Sequence, residues 1–192
     1  QKAFSHLQKL NALGHQLTLS VNISARNLQD PAFQDKVLIA AQQHQISPSQ
    51  IVMELTETAV MLNENSGATI LYDLDRAGFG IAIDDFGTGY SSLAYLKRLP
   101  VQEIKIDRAF IKDMAQQQDD QIIVTTTLQM GHNLGLRVVA EGIEDETTLN
   151  FLRNAGCDLA QGYYIAKPMP FNDFVNWLSS RNAPSSRQAA GI

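Results

Sequence analysis

The stretch Gly78-Phe79-Gly80-Ile81-Ala82-Ile83-Asp84-Asp85-Phe86-Gly87-Thr88-Gly89-Tyr90 holds one complete repeat of the chain's pattern. Gly78 stops the helical stripe of Ile70, Leu71 and Leu74, and a left-handed C-cap is the expected form of that stop. The apolar run 80–84 follows as a strand and ends on two adjacent carboxylates. A glycine-rich segment, 86–90, then leads into a short helix expected near 91–97.

The same order recurs on both sides. Upstream, Phe4, Leu7, Leu10 and Leu13 form a helical stripe that ends near Gly14, and residues 17–23 alternate as a strand. Phe33, Val37, Leu38 and Ala41 mark a helix behind Asp30-Pro31, a capping residue followed by proline in the first turn, and a strand at 51–55 follows Pro48. Downstream, strands are expected at 103–107, 136–141 and 158–161. Helices carry Ile123, Thr127, Met130 and Leu134 (capped by Asp119 or Asp120), then Leu149 and Leu152, then Phe171, Phe174, Val175 and Leu178. Residues 1–178 thus form one domain. The Ser-, Asn-, Pro-, Ala- and Gly-rich segment 179–192 offers too little apolar surface to offset its ordering entropy and is expected to be disordered.

Six strands separated by helices imply parallel pairing with right-handed crossovers, either an open doubly wound sheet or a closed barrel. The polar residues decide between them. Asn22, Glu54, Asp84 with Asp85, Lys105 with Asp107, Glu141 and Gln161 fall at or near the C-terminal end of successive strands, one group per strand. An open sheet concentrates its site at one switch point, whereas a barrel gathers every strand end around one rim, so the expectation is an α/β barrel of the TIM type. Such barrels have eight strands and this chain opens on a helix, so two N-terminal strands are expected to be missing.

The 192 residues include 15 Lys and Arg against 20 Asp and Glu, a net charge of −5, with 44% hydrophobic and 18% charged residues. That balance argues against a nucleic-acid polymer or a membrane surface as partner. One cysteine, Cys157, excludes an internal disulfide and a cysteine-rich zinc site. A reducing cytoplasm fits, with any tether to the inner membrane lying upstream of this chain.

Asn22, Glu54, Asp84, Asp85 and Glu141 supply only hard oxygen donors, and four of them are anionic. Their convergence calls for a divalent cation, and oxygen-only ligands select Mg²⁺, Mn²⁺ or Ca²⁺ over zinc or copper. The adjacent Asp84 and Asp85 suit two neighbouring ions with one carboxylate bridging. Two such ions roughly 3.5 to 4 Å apart, with a lysine nearby, are the recurrent apparatus of phosphodiester hydrolysis. Lys105 is the candidate for that charge: period-two geometry sends Lys105 and Asp107 to one face while Ile104 and Ile106 take the other. Taken alone, Lys105 and Asp107 also suit a salt-bridged strand face, and Asp84 with Asp85 a turn cap. Glu54 and Glu141 resist such bland readings, because each sits in or just after an apolar run where an unpaired carboxylate is costly. Glu57, three residues past Glu54, is placed to accept hydrogen bonds from a neighbouring loop. Gln161, neutral, can both donate to and accept from a water. The four histidines, His6, His15, His44 and His132, lie on predicted helices away from these ends.

The segments Val21-Asn22-Ile23-Ser24, Glu54-Leu55-Thr56-Glu57, Asp84 to Leu93 with its Asp-Asp-Phe-Gly-Thr-Gly-Tyr run, Lys105-Ile106-Asp107-Arg108, Ala140-Glu141-Gly142, Gln161-Gly162-Tyr163 and Lys167-Pro168-Met169-Pro170 together resemble the EAL-domain family, in the family's order. The resemblance implies a TIM-type barrel modified with one antiparallel strand. It also implies a Mg²⁺- or Mn²⁺-dependent phosphodiesterase opening cyclic di-GMP to linear pGpG. By the family's pattern Asn22, Glu54 and Asp84 bind metal, Asp85 completes a second metal site, and Glu141 is a ligand directly or through water. Lys105 would assist the attacking water, Gln161 would position it, Asp107 would contact substrate, and Glu57 would hold the loop 86–92, which in the family takes part in homodimer contacts. Upstream sensor or diguanylate cyclase domains are further implied partners. The Glu-Ala-Leu triplet is absent from these residues, with the metal-binding glutamate and substrate-binding arginine that accompany it, so impaired hydrolysis by this fragment is expected. A cyclic di-GMP receptor or protein-interaction module is the competing reading.

Overall fold

A computed structural model describes residues 2–61, 66–89, 93–114 and 117–181. Six strands, β1 (Leu19–Asn22), β2 (Ile51–Thr56), β3 (Gly80–Phe86), β4 (Glu103–Ile106), β5 (Arg137–Ala140) and β6 (Leu159–Ala160), pair in that order, every pair parallel. The antiparallel strand implied by the family resemblance is not among the described residues, and β1 and β6 are the two ends of the sheet. The helices are α1 (Lys2–Ala12), α2 (Phe33–Gln43), α3 (Glu57–Met61), α4 (Ser66–Arg76), α5 (Leu93–Leu96), α6 (Arg108–Ile111), α7 (Gln118–Asn133), α8 (Glu146–Asn154) and α9 (Phe171–Arg181).

Period two divides the sheet into two chemically different faces. Ile51, Met53, Leu55, Ile81, Ile83, Ile104, Ile106, Val138 and Ala140 belong to one hydrophobic cluster with Phe4 and Leu7 of α1, Leu71 and Leu74 of α4 and Val124 and Leu128 of α7. The alternate residues, among them Glu54, Ala82, Asp84, Glu103, Lys105 and Val139, line the other face. That face curls inward. Neighbouring strands stand about 4.8 Å apart, so β2 and β5 of a flat sheet would be roughly 14 Å apart. Yet carboxylates from β2 and from the end of β5 reach the same ammonium, which makes the sheet a half-barrel.

Several boundaries differ from the sequence pattern. Leu13 lies past the end of α1 and is 59% exposed. Asp30 does not cap α2: it closes a 3-10 turn, accepts from Ala32 N and pairs with Lys36, while Ala32 is the N-cap. Gln117, not Asp119 or Asp120, is the N-cap of α7, and both aspartates sit in its first turn, where they complement the helix dipole. Gly78 does take the expected left-handed conformation, with φ +92°. The last helix runs through Arg181, past the expected boundary at 178, and residues 182–192 of the expected tail lie outside the described residues. Among the described residues no helix is long and apolar enough to cross a membrane.

Candidate active site

Lys105 is the hub of the polar face. All of β4 is buried, and the Lys105 side chain, 5% exposed, ends 3.0 Å from Glu54 Oε1, 3.2 Å from Asp84 Oδ1 and 2.5 Å from Glu141 Oε1. Strands β2, β3 and β4, and the residue that follows β5, thereby deliver one charged group each to a single point. Burial by itself would lower the pKa of Lys105, but hydrogen bonds and charge from Glu141 and Glu54 outweigh it and hold the ammonium above its ordinary 10.5. Glu141 moves the other way from a simple salt-bridged acid. Its burial, with repulsion from Asp84 and Glu54, raises its pKa above 4.5 although Lys105 opposes the shift. One ammonium does not neutralise three carboxylates.

Asp85 reaches the same cluster by a backbone irregularity. Adjacent residues of a regular strand point to opposite faces, which would separate Asp84 from Asp85. Here the β3–β4 register shifts between Ile83 and Phe86 and Asp85 takes φ 53°, so a bulge turns its side chain back toward the site. Single oxygens of Asp84, Asp85 and Glu141 all lie within 4.8 Å of one another. The Asp85 pKa is raised by burial, by a hydrogen bond with the Asp107 carboxyl and by the charge of Asp84. Asp107 also accepts from Ala109 N at 2.7 Å, capping α6.

The remaining predicted residues lie around this cluster. Asn22 ends β1 exposed, its Cα in register with Glu54. Gln161 is exposed just past β6, held by backbone bonds to Ala140 O and from Ile143 N, and the structure brings its side chain into no ion pair or hydrogen bond with the cluster. Glu57 is 2% exposed and faces the loop after β3: Gly87 N donates to its Oε2 at 3.1 Å, and a Cβ added to Gly89 would stand 2.8 Å from its Oε1. Tyr90, Ser91 and Ser92 of that loop lie outside the described residues. Glu103 is a buried carboxylate that the sequence pattern did not single out. It shares the face of Lys105 one pleat below, pairs with Arg137 at 3.3 Å, and burial raises its pKa above 4.5.

The donor set fits divalent metal. It is made of oxygen alone, and ligands on opposite sides of a Mg²⁺ or Ca²⁺ ion stand about 4 to 5 Å apart, the spacing available among Asp84, Asp85 and Glu141. The excess negative charge around Lys105 supplies the attraction. His132 takes no part: its Nε2 lies 2.9 Å from Asp158 Oδ2 at the opposite ends of the strands.

Residues 1–168 match the family described as EAL domain. The chain is 44% identical over 152 residues, 79% of its length, to the bifunctional diguanylate cyclase/cyclic di-GMP phosphodiesterase MucR of Pseudomonas aeruginosa, of which it covers 22%. It is 41% identical over 179 residues, 93% of its length, to the cyclic di-GMP phosphodiesterase NbdA of the same organism, of which it covers 23%. It therefore spans under a quarter of the length of these curated relatives. A solved structure of the MucR phosphodiesterase in complex with c-di-GMP superposes with a TM-score of 0.87 at 40% identity, covering 90% of this chain and 70% of that one. The half-barrel, the convergence on Lys105 and these likenesses together place the chain in the EAL domain family.

Proposed function

We propose that this domain is a Mg²⁺- or Mn²⁺-dependent phosphodiesterase that opens cyclic di-GMP to linear pGpG. The observation that carries the reading is the convergence of Glu54, Asp84 and Glu141 on buried Lys105, with Asp85 beside them. In the reaction a water oxygen bonds to phosphorus, the bond to the ribose 3′ oxygen breaks, the water's proton is released and the 3′ alkoxide is protonated. Asn22, Glu54, Asp84, Asp85 and Glu141 would hold a pair of ions. When bound, such ions lower the pKa of water and offset the charge that develops on the phosphoryl and leaving oxygens.

The chain's own groups do the rest. Lys105 is fixed in place by three carboxylates and presents its charge where the attacking water must be oriented. Gln161 positions that water. Asp107 pins Asp85 and the start of α6, and it faces the substrate. Glu57 anchors the loop after β3 through Gly87 N. We further place the domain in the cytoplasm, as a homodimer, with sensor or cyclase domains upstream. The 192 residues contain no Glu-Ala-Leu triplet, so the isolated chain is impaired by lack of that glutamate. The competing reading is a non-catalytic cyclic di-GMP receptor or interaction module.

The test is hydrolysis of cyclic di-GMP in Mg²⁺ or Mn²⁺ by three proteins. These are the 192-residue chain, the chain joined at its N-terminus to the two preceding strands of an EAL relative, and that joined form carrying Glu54→Ala. Release of pGpG by the joined form alone is the expected result. A joined form that binds the nucleotide with metal and never cleaves it replaces the enzyme with the receptor.

A further inference from the structure

Resting on the reading of Gln161 as the residue that positions the attacking water, we propose that Asp158 and His132, at the other end of the strands, are positioning residues for it: together they clamp the register of β6 against β5. Gln161 directly follows β6 and straddles Glu141. Its N–H donates to Ala140 O at 2.9 Å and its carbonyl accepts from Ile143 N at 3.1 Å. The seat of β6 on β5 therefore sets how far Gln161 stands from Glu141. A slip of one residue would carry it about 3.3 Å along the strand and turn its side chain to the opposite face. The ladder that must prevent this is the shortest among the described strands, Val139 with Leu159 and Ala140 with Ala160, and both β6 residues are exposed. Such a strand specifies its own register weakly.

Asp158 makes up the deficit. It stands one residue ahead of β6, and its Oδ2 accepts from Val138 N of β5 at 2.8 Å and from His132 Nε2 of α7 at 2.9 Å. Burial alone would raise the carboxyl pKa, but the bonds from Val138 and His132 outweigh it and hold it below the ordinary 3.8, so the group is ionised and accepts from both. Two elements thus grip a single oxygen at the entry to β6. The same device recurs along the sheet. Gln50, ahead of β2, donates to Leu17 O at the approach to β1 and is held by Asn11 of α1. Gln102, ahead of β4, accepts from Ile81 N of β3 and is held by Asp75 of α4. In each case the residue before an even-numbered strand grips the backbone at the start of the neighbouring strand, and a side chain from the helix before that neighbour holds it in place. Of the three, Asp158 serves the strand with the shortest ladder, and that strand leads directly into Gln161.

Two measurements at fixed pH test the clamp. In the 192-residue chain, Asp158→Ala is expected to speed amide exchange about tenfold or more at Val138, which loses its acceptor, and at Gln161 and Ile143, whose bonds hold the end of β6. Met53, Ile83 and Ile106, in the other strands, keep the parent's rates. In the form joined to the two preceding strands, Asp158→Ala is expected to lower kcat for cyclic di-GMP about tenfold or more with KM within about twofold, since a displacement of about 1 Å can cost about 100-fold. In a Gln161→Ala background the same substitution changes kcat less than about twofold, because a residue that acts through Gln161 has nothing left to position. His132→Gln, which keeps a donor, retains more activity than His132→Ala. Equal losses of kcat with and without Gln161, or faster exchange in every strand, make Asp158 a general support of the fold and overturn the proposal while leaving the proposed reaction standing. A kcat untouched by Asp158→Ala does the same. A joined form that never releases pGpG overturns the phosphodiesterase reading and the positioning role with it.

Discussion

Replacing Lys105 by methionine removes the ammonium and keeps most of the volume. In the structure that ammonium lies 2.5 to 3.2 Å from Glu141, Glu54 and Asp84, and its side chain is 5% exposed. At 3 Å and an effective dielectric of 20 each contact is worth about 5 kcal/mol before desolvation is charged against it. Desolvation takes back most of that gain, but it does not vanish when the partner is deleted, because Glu54 stays buried and Asp84 and Glu141 partly buried, all without the ammonium. Removing one member of a buried ion pair costs about 3 to 5 kcal/mol, and that is the loss expected for Lys105→Met. Urea unfolding at neutral pH in EDTA measures it. Adding Mg²⁺ should then stabilise Lys105→Met more than the unsubstituted chain, since the cation supplies the missing charge. A loss below about 1 kcal/mol in EDTA, the size of an exposed pair, refutes the reasoning. So does a variant whose unfolding midpoint ignores Mg²⁺.

Other outcomes follow from neighbouring groups. Glu103 has its pKa raised above 4.5 by burial, so the folded chain holds its proton to higher pH than the unfolded chain. Ionised Glu103 therefore costs stability above its folded pKa, and the cost fades as pH falls toward 4.5. Glu103→Gln is expected to be at least as stable as the parent at pH 7, with an advantage that shrinks on acidification; a deficit at pH 7 that grows with pH in urea titrations contradicts this. Glu57→Ala leaves Gly87 N without its acceptor, a loss of about 1 to 3 kcal/mol of loop anchoring. Proteolysis at the loop after β3 should quicken while the far-ultraviolet spectrum stays unchanged. Cys157 is pushed up to about 11 by burial, with its thiol donating to Leu159 O at 3.2 Å. At pH 8 it should react with a disulfide reagent slowly in the folded chain and fast in urea, and equal rates would show that the thiol is not shielded.

The sequence revealed most where two signals coincided. A β-branched run closed by a carboxylate marked Glu54, Asp84 and Glu141 as site residues, and the structure brings them together because the sheet curls. The sequence sets Asp85 beside Asp84, but how both come to face one point is not legible in it. That depends on the register shift and the positive φ at Asp85, which no period-two pattern encodes. Glu103 escaped notice because a glutamate after Pro100-Val101-Gln102 reads as a solvated strand start; its burial comes from neighbouring strands, a tertiary effect. The cap of α2 was misread because Asp30 serves a preceding 3-10 turn that short-range propensity does not anticipate. The strand at 158–161 shrinks to Leu159–Ala160, both exposed at the end of the sheet.

The most direct test of the central claim is a crystal of the 192-residue chain soaked with Mn²⁺ and examined at the manganese absorption edge. Anomalous density is expected between Asp84, Asp85 and Glu141, with the Lys105 contacts to Glu54 or Glu141 lengthened as those oxygens turn to the ion. Density confined to surface carboxylates, with Lys105 still 2.5 to 3.2 Å from all three partners, would contradict a divalent-metal centre at this site.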